Sequence, residues 1–299
     1  PTAQVTLLIP GVRLPGSQFY LPFWSGIISI IILAVVHEGG HGISGIVDKV
    51  KFKSAGIGMF LILPLAFVEP DEKALEKIPF AGRIRMYCAG SFSNITFAFL
   101  LFLLIGCTLS PFIEGMVDLG GLKLQSTVEG MPAYNAGMMN GTIIYSVNNM
   151  STPNLTSFTE AFTGLKPNDT LMFNTSRGIY IIQAGVSPNN ESQGYAGIVV
   201  EQKWEFKKSL LSTYPEPVLM IPINILRILT WIVNLNFAVG IINLYPLWIT
   251  DGGKVFMELV SKAVKDKNTA ALIINIAFVS FFSLLLFNIF GPAIINTVQ

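Results

Sequence analysis

Apolar residues along this chain collect into long uninterrupted runs rather than the short alternations of a soluble core. From Phe23 to Val47 the only charged residue is Glu38. Runs of comparable length occupy roughly 84–110 and 268–290, and another lies within 217–249. A helix of about 20 residues crosses a hydrocarbon core of about 30 Å, so each run predicts a membrane span. The stretch 217–249 is long for one span and carries Arg227. It reads either as an interfacial amphipathic helix to residue 234 followed by a crossing at 235–249, or as one long tilted helix whose Arg227 snorkels to the interface.

Two regions depart from this pattern. Lys53 and Glu69 enclose 15 uncharged residues that include Gly56, Gly58 and Pro64. As a helix that segment would reach only about 22 Å, too short to span. It predicts a re-entrant strand or hairpin over 52–69, with an ordinary interfacial loop as the alternative. Over 111–203 the chain turns to Gly, Asn, Ser and Thr around short β-branched runs such as Thr142-Ile143-Ile144-Tyr145 and Gly178-Ile179-Tyr180-Ile181-Ile182. Turn signals such as Pro167-Asn168-Asp169 separate these runs and predict a small β-rich domain. The fold class is therefore a polytopic α-helical membrane protein with about four transmembrane helices and an inserted β-rich domain. Its parts are an N-terminal segment 1–21, a first half of the membrane core 22–110, the inserted domain 111–203, a membrane-associated or interfacial helix 204–234, and a second half 235–299.

Composition agrees. Of 299 residues 52% are hydrophobic and 12% charged, against about a quarter charged in soluble domains. The net charge of +1 supplies no basic footprint for nucleic acid, and a lipid bilayer is the expected surrounding. Cys88 and Cys107 fall in one apolar run and read as packing residues. The chain opens at Pro1 rather than Met, as a processed form or a piece of a longer chain would, and no signal peptide is visible.

Charge distribution gives an orientation. Lys49, Lys51, Lys53, Lys73, Lys77, Arg83 and Arg85 gather between the first two runs, and Lys254, Lys262, Lys265 and Lys267 between the last two. The positive-inside rule makes both loops cytoplasmic and residues 111–216 extracytosolic. Six N-x-S/T sites at Asn140, Asn149, Asn154, Asn168, Asn174 and Asn190 lean the same way.

The only histidines are His37 and His41, in His37-Glu38-Gly39-Gly40-His41. On a helix, residues four apart lie about 40° and about 6 Å apart, so both imidazoles can grip one metal ion. A carboxylate such as Glu38 inside an apolar span is costly and marks a functional site. Zinc held by two histidines needs a third protein ligand and leaves a position for water. With no third histidine, a carboxylate or thiolate must serve. Asp251 is the strongest candidate, at the end of Asn243-Leu244-Tyr245-Pro246-Leu247-Trp248-Ile249-Thr250-Asp251-Gly252-Gly253, where Pro246 should interrupt the helix. By parity Asp251 sits at the depth of His41, nearer the cytoplasmic side. The competing reading is that Asp251 caps the helix after it.

Two resemblances follow. Gly130-Met131-Pro132-Ala133-Tyr134-Asn135-Ala136-Gly137-Met138, with Gly141-Thr142-Ile143-Ile144 after it, resembles the signature of PDZ domains attached to membrane and periplasmic proteases. It implies binding of a peptide or substrate ectodomain by strand addition, or else a spacer that blocks bulky substrates. The H-E-x-G-H motif, the N-x-x-P … D-G segment and the stretch from Arg83 through Ala89-Gly90 to Asn94 together resemble the site-2 protease family of intramembrane zinc metalloproteases.

That resemblance implies a three-helix catalytic core and one Zn2+ held by His37, His41 and Asp251. Glu38 would be the general base, and Asn243 and Asn94 polar residues of the site. The substrates would be membrane-spanning proteins. Trp248 stands where the family usually has a second proline, and Thr250 where it has leucine. A metal transporter using the same ligands and a catalytically inactive PDZ scaffold are the alternatives. Polar groups gathered at one depth argue against the first, and an intact Glu38 against the second.

Overall fold

In the computed structural model, which describes residues 8–13, 20–60, 63–188 and 190–298, the chain divides into two units. One joins Pro1–Ser110 to Ile221–Gln299, and the other is Pro111–Met220. Of the segment 1–21, residues 8–13 and 20–21 are described.

The first apolar run forms α1 (Phe23–Val47). Glycine inside a helix costs about 1 kcal/mol relative to alanine, so Gly40 and Gly45 need a packing reason. A Cβ at Gly40 would fall 2.6 Å from Ala89 O, and one at Gly45 would enter the Phe52 ring. The segment 52–69 is a β-hairpin, β1 (Phe52–Phe60) against β2 (Leu63–Pro70), in constant register from Ser54↔Glu69 to Phe60↔Leu63 with a shift before it at Phe52↔Pro70. Residues 61 and 62 at its turn lie outside the described residues. Next come α2 (Glu72–Lys77), capped by Asp71, and α3 (Phe80–Leu104). α3 continues through one π-turn, Ile105–Leu109, into α4 (Ser110–Met116).

The second span is therefore longer than the expected 84–110, running Phe80–Met116. At its start Arg83 and Arg85 are paired, with Glu258 and Asp48, so they extend the helix instead of ending it. Near its other end Pro111 lacks an N–H, and the π-turn just before it absorbs the break in the ladder.

The Pro111–Met220 unit contains β3 (Val117–Thr127), α5 (Pro132–Asn135), β4 (Ile143–Val147), β5 (Met150–Ser151) and α6 (Leu155–Ala161). They are followed by β6 (Thr170–Thr175), β7 (Gly178–Gln183), β8 (Gly185–Ser187), β9 (Asn190–Tyr195), β10 (Ile198–Phe206) and α7 (Lys208–Leu211). The main sheet has the order β10-β3-β4-β6-β7, with β5 on β4, and β8 pairs β9. Alternate residues Leu124, Ile144, Leu171 and Phe173 form its buried core. The expected boundary at 203 falls inside β10, which stays paired with β3 to Phe206↔Val117.

Beyond it, α8 (Glu216–Ile242) is one continuous helix. Of the two readings of this stretch it matches the single long helix, in place of an interfacial helix 204–234 and a crossing 235–249. Pro222 lies inside it and leaves Val218 O without its ladder donor, yet the helix runs on, and the break comes instead over 243–250, around Pro246. α9 (Asp251–Ala263) and α10 (Lys267–Val298) follow, so the last run also extends past the expected 268–290. Among the described residues four helices, Phe23–Val47, Phe80–Met116, Glu216–Ile242 and Lys267–Gly291, are long and apolar enough to cross a membrane.

Within the first unit α3 is the hub. Gly240 of α8 seats on it, since a Cβ there would lie 2.8 Å from Ile95 Cγ1 and 3.2 Å from Ser91 O. Arg83 forms a fork to Glu258 of α9 at 2.8 and 2.9 Å. Trp248 and Phe256 pack on Phe278 of α10.

Candidate metal centre

His37 and His41, one turn apart on α1, face Asp251 at the start of α9. Asp251 Oδ2 lies 3.2 Å from His37 Nε2 and 3.0 Å from His41 Nε2, and the two Nε2 atoms are 3.3 Å apart. Ligands about 2.0–2.1 Å from a tetrahedral zinc stand about 3.3 Å from one another. The three atoms therefore converge as zinc donors would, and this trio is the metal-ligand cluster found among the described residues.

The remaining ring nitrogens decide whether the lone pairs point inward. His41 Nδ1 lies 2.8 Å from Met86 O. A carbonyl only accepts, so Nδ1 carries the proton and Nε2 keeps its lone pair. His37 Nδ1 lies 3.2 Å from the Asn94 side-chain amide nitrogen, and Asn94 Oδ1 is buried without a partner. Turning that amide by 180° resolves both facts at once: Oδ1 then accepts from His37 Nδ1–H, and His37 Nε2 also faces the centre. The donor set and the orphaned oxygen both fit a metal.

The turn 243–250 sets Asp251 in place. Asn243 O accepts from Gly252 N at 2.8 Å, and Asn243 Nδ2 donates to Asp251 Oδ2 at 2.8 Å. A Cβ on Gly252 would strike Leu244 O, and one on Gly253 would strike Leu247 O, so both positions require glycine. Thr250, where the site-2 proteases have leucine, is the N-cap of α9: its hydroxyl accepts from Gly253 N at 3.2 Å and donates to Tyr245 O at 2.5 Å. The cap is thus Thr250 and not Asp251, whose side chain is free to face the histidines. Trp248, in place of a proline, stacks edge-on against Phe278 at 5.3 Å.

Glu38 lines the same cavity of about 280 Å³ as the two histidines, Asn243 and Asp251. Its Oε2 accepts from Val68 N of β2 at 2.9 Å, which brings the hairpin edge to the centre. A larger cavity of about 670 Å³ shares Pro70, Tyr87 and Lys254 with the first and adds Glu69, Glu76, Arg83 and Glu258. A charged lining therefore adjoins the centre.

All six residues singled out from sequence meet here: His37, Glu38, His41, Asn94, Asn243 and Asp251. Sequence reasoning misses several others. Met86 and Val68 act through backbone atoms, which no side-chain motif reveals. Gly90 makes room for both imidazoles, since a Cβ there would lie 2.5 Å from His37 Cε1 and His41 Nε2. Lys254, whose Nζ is 3.0 Å from Asp251 Oδ1, carries a signal in its spacing three residues after the aspartate.

Known proteins bear on this centre directly. A family model described as Peptidase family M50 matches residues 25–287. An uncharacterized protein of Methanocaldococcus jannaschii is 28% identical over 251 residues, covering 83% of this chain and 60% of that protein. A membrane-bound transcription factor site-2 protease homolog of Arabidopsis thaliana is 32% identical over 92 residues, covering 29% of this chain and 18% of that protein. The chain spans less than two-thirds of the length of either relative. The family match takes in α1, the hairpin, α3 and the Asn243–Asp251 turn together, which is the whole frame of the centre. This integral multi-pass membrane protein belongs to peptidase family M50.

Proposed function

We propose that the chain is a zinc-dependent intramembrane endopeptidase that hydrolyses peptide bonds in or near the transmembrane segments of other proteins. The observation that carries this reading is the convergence of His37 Nε2, His41 Nε2 and Asp251 Oδ2, with Glu38 in the same cavity. His37, His41 and Asp251 would hold one zinc ion, which would supply Lewis acidity towards the scissile carbonyl and the attacking water.

The chain's own residues do the rest. Glu38 takes a proton from the attacking water and delivers it to the leaving amide nitrogen as the C–N bond breaks. Met86 O and Asn94 keep the histidines oriented, and Asn243 steadies Asp251. The edge of β2, brought to the centre at Val68, offers backbone groups to a substrate segment that has unwound from helix. The charged cavity beside the centre admits water. In this reading the centre lies nearer the cytoplasmic side, and the β-rich unit is an extracytosolic PDZ-like domain that binds a peptide or substrate ectodomain. A transporter would need donors staggered across the membrane, whereas these meet at one point.

The test is zinc content alongside cleavage of a single-span helical substrate by purified protein. About one zinc per chain is expected. Glu38→Gln should lower the cleavage rate by about 10²–10⁴-fold with zinc retained. Undiminished cleavage in that variant would sink the mechanism.

A further inference from the structure

Lys254 stands out among the groups around the centre. Among the described residues lining the smaller cavity it is the only lysine or arginine. It occupies the first turn of α9, where the helix dipole disfavours a cation, and its Nζ meets Asp251 Oδ1 and stands 5.8 Å from the centre of the Tyr87 ring. The pair it makes with Asp251 is not an ordinary surface contact, because the Asp251 side chain is only 6% exposed while that of Lys254 is 48% exposed.

The two oxygens of Asp251 are used differently. Oδ2 faces His37, His41 and Asn243 at 3.2, 3.0 and 2.8 Å. Oδ1 meets Lys254 Nζ at 3.0 Å. A carboxylate near a metal can offer one oxygen or both, and the second would fill the position a hydrolytic centre keeps for water. We infer that Lys254 is a positioning residue that holds Oδ1 away from the centre, so that Asp251 offers a single oxygen and the fourth position stays with water. This inference rests on the reading of His37, His41 and Asp251 as metal ligands.

Cobalt reports the difference, because four-coordinate Co2+ absorbs strongly in the visible and five-coordinate Co2+ weakly. Full-length protein in detergent, stripped of metal and reloaded with Co2+, is compared with Lys254→Met, Lys254→Gln and Lys254→Arg, and zinc affinity is measured by competition with a chromophoric chelator. The wild-type protein should show the intense four-coordinate bands. Either neutral variant should show the weaker bands, with zinc bound at least as tightly because a second oxygen joins and a neighbouring positive charge is gone, and Lys254→Arg should restore the intense bands. Neutral variants with the wild-type spectrum would overturn the role of Lys254 while leaving the ligand assignment intact. Failure of the wild-type protein to take up Co2+ would instead overturn the ligand assignment on which the role depends.

Discussion

Asn94 shows how much one buried side chain decides. It is fully buried in α3, and its contact with His37 Nδ1 is what fixes which ring nitrogen of His37 carries the proton. Any replacement that cannot accept a hydrogen bond frees that ring to take the wrong tautomer. Asn94→Leu is therefore expected to weaken zinc binding about 10–100-fold, while Asn94→Asp, which still accepts, should stay close to the wild-type value. Equilibrium competition for zinc measures both, and equal affinities in the two variants would refute the orientation role. The histidines themselves are readable from sequence because an i, i+4 pair of imidazoles in an apolar run adds nothing to packing that aliphatic side chains would not supply at lower cost. The groups that orient them are less so: Met86 contributes a carbonyl that every residue carries, and Gly90 contributes the absence of a side chain.

At the scale of elements, the turn 243–250 carries the heaviest constraint. Leu244 O and Leu247 O sit where the side chains of residues 252 and 253 would go. Gly252→Ala should cost about 1–3 kcal/mol through overpacking and displace Asp251, so a fall in melting temperature and loss of bound zinc are expected together. A variant that melts lower but keeps its zinc would show that the turn and the ligand are independent. The paired glycines and Pro246 announce this break in the sequence, because each has a specific backbone consequence. The sequence leaves the continuity of α8 open, because Arg227 fits either an interruption or one long helix, and the structure has the long helix. Arg227 is exposed and makes a long 3.4 Å contact with Asn224, so it imposes no break. Length rules out a spanning helix over 54–68 and leaves a hairpin or an interfacial loop, and the pairing of β1 with β2 decides for the hairpin. That its edge reaches Glu38 is a tertiary fact with no local signature.

On the scale of the whole molecule, helix number follows from hydropathy and the β-rich unit from its turn chemistry. Membrane helices expose apolar surface to lipid, so long apolar runs are an almost direct record of them. Ends are less well recorded: arginines paired across helices, as Arg83 is with Glu258, let a span begin earlier than its charge pattern suggests. The centre draws its donors from residues 214 positions apart, His37 and Asp251, and only packing of α1 and α9 on the shared face of α3 joins them. In Thr250 the chain separates two tasks that one aspartate could have combined. Because the threonine caps α9, the helix has its first hydrogen bonds without help from Asp251. On the proposed metal reading, loading is therefore expected to be uncoupled from the folding of α9, unlike a zinc finger, which unfolds without its ion. Stripping the ion with a chelator should leave the far-ultraviolet circular dichroism unchanged, and returning zinc should restore cleavage without a refolding step. Collapse of the helical signal on chelation would show that the ion also serves as scaffold. Thr250→Val would remove that cap, a loss of about 1 kcal/mol, and leave Asp251 as the nearest side chain that could replace it.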